Sequence, residues 1–271
     1  MSAPDLSLVS PRAAGWRAWI SPEAAARIAA GFAILLVWEM AVRLWAPAFV
    51  ARPSSIAAVF PTVIVDPVLW QAAGATLGAV VQGLAIAIVL GTAIGVAIGR
   101  LPVVDRFLQI YVSGLFAMPM VAILPLLTLY FGYTGDARLA TVVFAAVFAI
   151  IINVSDGAKA VPPEYIEVSR SFRGSGWSRL FDVVLPSSVP YLLAGLKLAA
   201  GRALIAAVIA EFYAAIPGLG FYILFNTRTF KHSEAFVAVA MLALVGVLFE
   251  LLLTRGTKKL LPWYRRDEAR D

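Results

Sequence analysis

Long apolar segments separated by short polar ones dominate the pattern along the chain. A helix of about 17–25 predominantly apolar residues can cross the hydrocarbon core of a membrane. Six segments are long enough to do so, and they occupy residues 24–46, 73–99, 108–131, 138–154, 191–212 and 236–253. The pattern predicts an all-α integral membrane protein with its transmembrane domain at residues 23–255. Residues 1–22 are expected to form a tail or interfacial segment, and residues 256–271 a basic tail.

One polar and charged stretch, Glu164 to Pro186, lies between the fourth and fifth segments. Its apolar residues recur at helical spacing, which predicts two short amphipathic helices. We expect Gly174 and Gly176 to separate them and Pro186 to stop the second helix. Each helix has one apolar stripe. The first consists of Tyr165, Val168 and Phe172, and the second consists of Trp177, Leu180, Phe181 and Val184. Two short helices cannot bury these stripes alone, so the pattern indicates a partner surface.

Composition supports the membrane assignment and excludes several kinds of site. Apolar residues make up 61% of the chain and charged residues 14%, whereas charged residues are roughly a quarter of a soluble domain. The chain has no cysteine and one histidine, so neither a thiolate metal site nor a histidine cluster can form. The net charge is +6, but the basic residues are distributed by membrane side, which argues against a nucleic-acid-binding surface.

The distribution of basic residues predicts the orientation. With six spans, both tails, the loop over residues 100–106 and the charged loop over residues 158–190 lie on one side of the membrane. That side holds 15 Lys and Arg residues, and the other side holds four. Because basic residues concentrate in cytoplasmic loops, we expect both termini and the charged loop in the cytoplasm.

Two membrane segments carry features beyond hydrophobicity. The second has small residues at every fourth position, which marks a surface where helices pack closely in lipid; they are Ala75, Ala79, Gly83, Ala87, Gly91, Gly95 and Gly99. The third contains Pro119 and Pro125. Because a proline removes a helical hydrogen bond, lipid tolerates it only where protein or water satisfies the freed group. A broken helix at this depth indicates either a lined pathway or a kink fitted to its neighbours.

Arg202 is the sharpest candidate for a solute path, since it lies near the middle of the fifth segment. A cation at that depth needs a cavity, a carboxylate, an anion or backbone carbonyls as partners. Arg202 therefore either faces a translocation path that favours anionic solutes or holds a structural pair. Met118, Met120 and Asn153 are further candidates for the path, because their segments carry kinks or a polar group at depth.

The charged stretch resembles the cytoplasmic coupling loop of ABC importer permeases. The pattern there is Glu-Ala-Ala, three residues, Gly, nine residues, Ile, one residue and Leu-Pro. The matching residues here are Glu167, Val168 and Ser169, then Arg173 in the glycine position, Val183, and Leu185 with Pro186. Further passages similar to the permeases for nitrate, sulfonates and taurine lie at residues 124–127, 131–132, 195–199, 210–212, 218–220 and 261–263. The resemblance covers residues 52–263.

This resemblance implies a type I ABC importer permease in a bacterial inner membrane. It implies a second permease copy, simplest as a homodimer, two cytoplasmic ATPase subunits that bind ATP and Mg²⁺, and an extracytoplasmic solute-binding protein. The chain itself would be non-catalytic and without a cofactor, since it has no phosphate-binding loop of the Gly-x-x-x-x-Gly-Lys type.

The resemblance also implies roles for individual residues. Contact with the ATPase would involve Glu164, Glu167, Ser169, Arg170, Arg173, Gly174, Leu185 and Pro186. Because Arg173 replaces the glycine of the pattern, Gly174 is expected to supply the turn one residue later. An outer gate or a contact with the binding protein would involve Glu211, Gly218, Leu219 and Gly220.

Two other classes of protein compete with this interpretation. An ion-coupled secondary transporter would need acids at depth and inverted repeats, whereas the acids of the membrane segments lie near segment ends. A membrane enzyme would need clustered catalytic groups. The solute is expected to be small and anionic, with sulfonates, taurine, nitrate, an aromatic carboxylate or a vitamin precursor all open.

Overall fold

The structure is a computed structural model, and it describes residues 22–47 and 49–260. Every regular element in these residues is helical. The helices are α1 (Pro22–Trp45), α2 (Pro53–Val63), α3 (Pro67–Arg100), α4 (Pro102–Ala117), α5 (Met120–Phe131), α6 (Gly135–Lys159), α7 (Pro163–Ser171), α8 (Gly176–Ser178), a π-helical turn (Arg179–Val184), α9 (Leu185–Ala214), α10 (Leu219–Arg228) and α11 (His232–Leu260). Most of the two predicted tails lies outside the described residues.

Contacts divide the chain into two units, Met1–Ala58 and Val59–Asp271. The described part of the first unit holds α1 and the first turns of α2. Glu39 and Arg43 form an ion pair one helical turn apart, with Arg43 Nε 2.6 Å from Glu39 Oε1. Ser54 donates to the same carboxylate from its amide at 3.0 Å and its hydroxyl at 2.7 Å. This carboxylate therefore ties the end of α1 to the start of α2.

In the second unit, the small residues of α3 pack directly against α6. A Cβ atom on Gly91 would lie 2.7 Å from Ile150 Cγ2, and one on Gly95 would lie 2.8 Å from the Ile151 carbonyl oxygen. Each distance is shorter than a van der Waals contact, so only glycine allows the two backbones to approach this closely. The predicted close-packing surface of the second span is therefore confirmed, and its partner is α6.

The direction of these two helices settles how often the chain crosses the membrane. Gly83 contacts Val142 and Gly99 contacts Ala158, so α3 and α6 run parallel and end on the same side. Lys159 and Asp105 meet there at 2.7 Å. Because α3 and α6 are parallel, the segment that joins the end of α3 to the start of α6 must cross back through the membrane. This segment consists of α4 and α5, which are bent by 101° relative to each other. Counted as one crossing, this pair joins five long apolar helices to give the six predicted spans.

The two prolines of the third span behave differently. The predicted break occurs at Pro119, which separates α4 from α5. Pro125 lies inside α5 and does not interrupt it. Thr128 donates to the carbonyl oxygens of Leu124 at 3.1 Å and Pro125 at 3.0 Å, so a side chain adds hydrogen bonds to the turn that follows the proline.

The expectation that Pro186 stops a second amphipathic helix is wrong. The helix that begins at Gly176 continues through the π turn and α9 to Ala214. At the junction the Leu185 amide donates to the Leu180 carbonyl, five residues back. Pro186 then falls in the first turn of α9, where the change of hydrogen-bond register accommodates its missing N–H. The fifth span is thus continuous with the charged loop.

Candidate functional site

The charged loop exposes an apolar surface, which we call the loop surface. It consists of Tyr165, Val168, Phe172, Trp177 and Phe181, all exposed in the isolated chain. Phe172 is 84% and Trp177 72% exposed, and the rings of Trp177 and Phe181 stack with centroids 5.8 Å apart. Large aromatic side chains left in contact with water are typical of a binding surface.

Ile166 holds α7 in place from the opposite side of that helix. It is 8% exposed and belongs to the same hydrophobic core as Val184 of the π turn. Because Ile166 faces inward, Tyr165 and Val168 of α7 and Phe172 directly after it face outward. The loop surface is therefore presented by a helix that is itself packed on the membrane domain.

Arg173, which occupies the glycine position of the coupling-loop pattern, adopts a left-handed backbone conformation. Its φ is +55°, and its amide donates to the Arg170 carbonyl at 2.8 Å. Gly174 donates to the Ser169 carbonyl at 2.8 Å, and a Cβ on Gly174 would lie 2.7 Å from Ser169 Oγ. The left-handed residue is thus Arg173, and the expectation that Gly174 supplies the turn one residue later is wrong. Gly174 is required instead by the close approach of Ser169.

The remaining loop candidates lie around the loop surface. Glu164, Glu167 and Arg170 are exposed, and Ser169 is half-buried. Leu185 and Pro186 lie beyond the π turn, at the start of α9. The structure brings these residues together on one side of the membrane domain, and their contact with a partner stays a prediction.

A cavity of about 380 Å³ lies at the break between α4 and α5. Met118 and Met120 flank the break and line it together with Arg202 of α9 and Phe144 and Phe148 of α6. Arg202 is the one charged residue in the described lining. Three of the four candidates for the solute path therefore meet at one cavity.

Arg202 satisfies a backbone group that the break sets free. Its Nη1 donates to the Phe116 carbonyl at 3.2 Å, and its guanidinium carbon lies 3.8 Å from the centre of the Phe116 ring. In an unbroken helix that carbonyl would accept from residue 120. A guanidinium carries five N–H donors, so one bond to Phe116 leaves donors for a second acceptor. The structural and solute-facing roles proposed for Arg202 are compatible.

Asn153, the fourth candidate, lies away from this cavity. Its Nδ2 donates to the Ala149 carbonyl one turn back at 2.8 Å. A Cβ on Gly195 would lie 2.9 Å from Asn153 Cβ, so this residue packs where α6 and α9 approach closely. The structure gives Asn153 a contact between helices, and its role in a path stays a prediction.

At the opposite end of α9 from the charged loop, Glu211 is fully buried. Its Oε1 accepts from Thr76 Oγ1 at 2.8 Å and from Arg138 Nη1 at 3.1 Å. Its Oε2 accepts from the Gly220 amide at 2.8 Å. One carboxylate thus joins α3, α6, α9 and the start of α10, and we call this group the Glu211 cluster.

The loop before α10 fits around this carboxylate. A Cβ on Gly218 would overlap the Glu211 carboxyl group, and one on Gly220 would lie 2.7 Å from the Val208 carbonyl oxygen. The Leu219 amide donates to Thr76 Oγ1 at 2.8 Å. All four residues predicted for the outer gate therefore lie together. The two partners of Glu211 from other helices, Thr76 and Arg138, were missed, although the pairing of Arg138 and Glu211 could have been inferred from their opposite charges at outer span ends.

A second cavity of about 620 Å³ lies beside this cluster. Its lining includes Gly218 and Tyr222 together with the charged residues Asp66, Lys231 and Glu234. Burial raises the pKa of the Tyr222 phenol, and the Asp66 carboxylate raises it further. The phenol therefore keeps its proton at neutral pH and remains a hydrogen-bond donor at the wall of this cavity.

The geometry defines a class of protein before any comparison. Five long apolar helices and one bent helix pair, with a cavity at the break of that pair, are features of a multi-pass membrane transport protein. The chain belongs to the family described as binding-protein-dependent transport system inner membrane component, which it matches over residues 83–266.

Similar proteins agree with this family. The chain is 28% identical to the taurine transport system permease protein TauC of Escherichia coli over 92% of its own length and 93% of that protein. It is 26% identical to the formylaminopyrimidine transport permease protein ThiX of Halalkalibacterium halodurans, with 86% and 94% covered. It is 32% identical to the bicarbonate transport system permease protein CmpB of Synechocystis, with 69% and 65% covered.

A solved structure with the same fold is a chain of the MetNI methionine ABC transporter in an inward-facing conformation. The TM-score is 0.62 at 16% identity, with 71% of this chain and 95% of that chain covered. The predicted type I ABC importer permease fold is therefore confirmed, and the chain is a multi-pass membrane protein of that architecture.

Proposed function

We propose that this chain is the membrane subunit of an ATP-driven importer and that its loop surface binds a separate cytoplasmic ATPase. The observation that carries the proposal is the exposed loop surface on α7 and α8, outside the membrane and next to the glutamate-containing motif. Apolar residues of this size need a partner, and Glu167 beside them adds a charge that a basic groove can recognise.

The helix that follows the loop surface provides a path for mechanical coupling. Trp177 and Phe181 of the loop surface, Arg202 at the cavity and Glu211 at the far end all lie on one continuous helical segment of 39 residues. A rise of 1.5 Å per residue makes this segment about 60 Å long. A partner that moves the loop surface would therefore move the cavity wall and the Glu211 cluster with it, which can switch access from one side to the other.

The rest of the assembly follows the family pattern. The permease would pair with a second copy of itself, both termini and the loop surface would lie in the cytoplasm, and ATP with Mg²⁺ would be bound by the ATPase. An extracytoplasmic binding protein would deliver the solute to the opposite face. The Glu211 cluster and the 620 Å³ cavity lie at the far end of α9 from the loop surface, and they are the surface we assign to that delivery.

The solute we propose is small and anionic. Arg202 supplies a cation to the cavity wall, and no carboxylate in the described chain pairs with it. Two of the three similar permeases are named for taurine and bicarbonate, which both carry an anionic group, and the third for formylaminopyrimidine. Identification of the ligand by calorimetry on the binding protein encoded nearby, with these three solutes and nitrate, tests this part separately.

Co-purification with an ATPase tests the central proposal. The permease would be co-expressed with a candidate ABC ATPase of the same organism, and the amount of ATPase recovered on the tagged permease would be measured. We expect Glu167→Arg to abolish recovery and uptake, because the new cation opposes the charge that the partner recognises. Asp136→Arg makes the same charge change at the exposed start of α6, at the opposite end of the domain from the loop surface, and it should retain ATPase recovery.

Two results would contradict the proposal. One is full ATPase recovery together with full uptake in the Glu167→Arg variant. The other is solute accumulation by the permease alone in vesicles with an ion gradient and no ATPase, which would favour a secondary transporter.

A further inference from the structure

A groove of about 490 Å³ separates the end of α3 from α7 and the π turn. Three arginines line it, and each comes from a different segment: Arg100 ends α3, Arg170 lies in α7, and Arg179 begins the π turn. We call this cavity the arginine groove. It is distinct from both the solute cavity at the broken helix and the cavity beside Glu211.

The three arginines have no acidic partner in the part of the chain that the structure describes. The described ion pairs near this end join Lys159 to Asp105 and Lys197 to Glu250. Arg100 donates from Nη1 to the Ala158 carbonyl at 3.3 Å, which satisfies a hydrogen bond and leaves its charge uncompensated. Three cations around one cavity repel each other unless an anion lies between them.

The walls of the groove change character with depth. Ala93, Val96 and Ala97 line it from the last two turns of α3, and Arg100 follows at the end of that helix. With 1.5 Å per residue, Ala93 lies about 10 Å deeper in the membrane than Arg100. The apolar wall therefore lies at the level of acyl chains and the arginines at the level of headgroups.

We propose that the arginine groove binds an anionic phospholipid of the inner leaflet. Its phosphate lies between Arg100, Arg170 and Arg179, since guanidinium groups hold phosphate oxygens in paired hydrogen bonds. Basic pockets between membrane helices on the cytoplasmic side are a known mode of lipid recognition. The side of the membrane and the link to coupling rest on the proposed function.

A bound phosphate would fix the position of α7. Arg170 moves with α7, whereas Arg100 belongs to α3 and Arg179 to the helix that continues into α9. One phosphate shared by the three would hold the loop surface against the membrane domain. The lipid thereby acts as a structural part of the coupling apparatus rather than as bulk solvent.

Lipid binding by the purified full-length permease tests this inference without ATPase or transport. Native mass spectrometry would count phosphatidylglycerol retained per chain, with phosphatidylcholine and inorganic phosphate as separate arms. Each arginine near an anionic headgroup contributes enough binding free energy for about a five-fold change in lipid affinity. We therefore expect Arg100→Gln with Arg179→Gln to weaken phosphatidylglycerol binding roughly 25-fold. Arg170 is left intact because it is also a candidate ATPase contact.

Arg106→Gln is the matched control, because Arg106 is exposed on α4 near the same end and does not line the groove. Its phosphatidylglycerol binding should equal that of the unmodified chain. Equal retention of phosphatidylglycerol and phosphatidylcholine, unchanged binding in the double variant, or saturation by inorganic phosphate alone would each overturn the inference. ATPase recovery on the Glu167→Arg variant tests the proposed function separately, because Glu167 does not line the arginine groove.

Discussion

Arg138 Nη1 lies 3.1 Å from Glu211 Oε1; the Glu211 side chain is fully buried, and the Arg138 side chain is 13% exposed. The pair joins the first turn of α6 to the last turn of α9. Arg138 also donates to the Pro217 carbonyl at 2.8 Å, so the loop before α10 is held by both members of the pair. This ion pair fixes the geometry of the end of the domain opposite the charged loop.

Glu211→Gln is expected to destabilise the chain by about 3 kcal/mol, because it leaves the largely buried Arg138 without a countercharge. The free energy of unfolding would be measured by equilibrium unfolding in mixed detergent micelles. Asp105→Asn removes one member of the half-exposed pair with Lys159 and should cost less than about 1 kcal/mol. Equal effects of the two substitutions would show that Glu211 is not an anchor.

Gly218→Ala should destabilise the same region by a steric mechanism. The φ of Gly218 is 170°, an extended conformation that any residue can adopt, so backbone strain is not involved. The added methyl group would overlap the Glu211 carboxyl, and such overpacking costs about 1–3 kcal/mol. Gly201→Ala in α9 meets no atom within 4 Å and should be neutral or stabilising in the same unfolding measurement. A neutral Gly218→Ala would contradict the packing described for the Glu211 cluster.

The sequence pattern predicts much of this fold because lipid imposes simple rules. Apolar length gives the six spans, small residues every four positions give the contact of α3 with α6, and the broken third span follows from Pro119. The loop surface is also predictable, since Tyr165, Val168 and Phe172 share one face of a short helix.

Long-range polar contacts and helix continuity could not be predicted in the same way. Thr76 and Glu211 are 135 positions apart, and no local pattern in the sequence links them. The helix through Pro186 depends on a π turn, whose hydrogen bonds shift register over a few residues without a signal in the hydrophobic spacing. The three arginines of the groove come together only when the end of α3 packs beside α7 and the π turn.

Arg173→Gly tests the strain in the charged loop. A non-glycine residue in the left-handed region costs about 1–2 kcal/mol, and glycine removes that cost. Hydrogen exchange should therefore slow at the amides of residues 173 and 174, by about ten-fold for a gain of 1.4 kcal/mol. Ser171→Gly places glycine within α7 and should accelerate the same exchange. Faster exchange in Arg173→Gly would show that the arginine side chain stabilises the turn.

Arg202→Gln tests the proposed role of the cation in solute transport. A hydrogen bond to a charged group contributes about 1.5–3 kcal/mol, so uptake of the identified anionic solute should fall at least about ten-fold. Arg202→Lys keeps the charge without the planar donor fork and should retain an intermediate rate. The matched control is Lys197→Gln, since Lys197 is a cation of the same helix that lies outside the cavity lining.

Because Arg202 also satisfies the freed Phe116 carbonyl, its structural role must be separated from its role with the solute. ATPase recovery and unfolding in detergent would be measured on each variant. A solute-binding role predicts that Arg202→Gln retains ATPase recovery while the concentration for half-maximal uptake rises more than the maximal rate falls. An Arg202→Gln variant that assembles normally and transports at the original rate would exclude the cation from the translocation path and leave it as the partner of the broken helix alone.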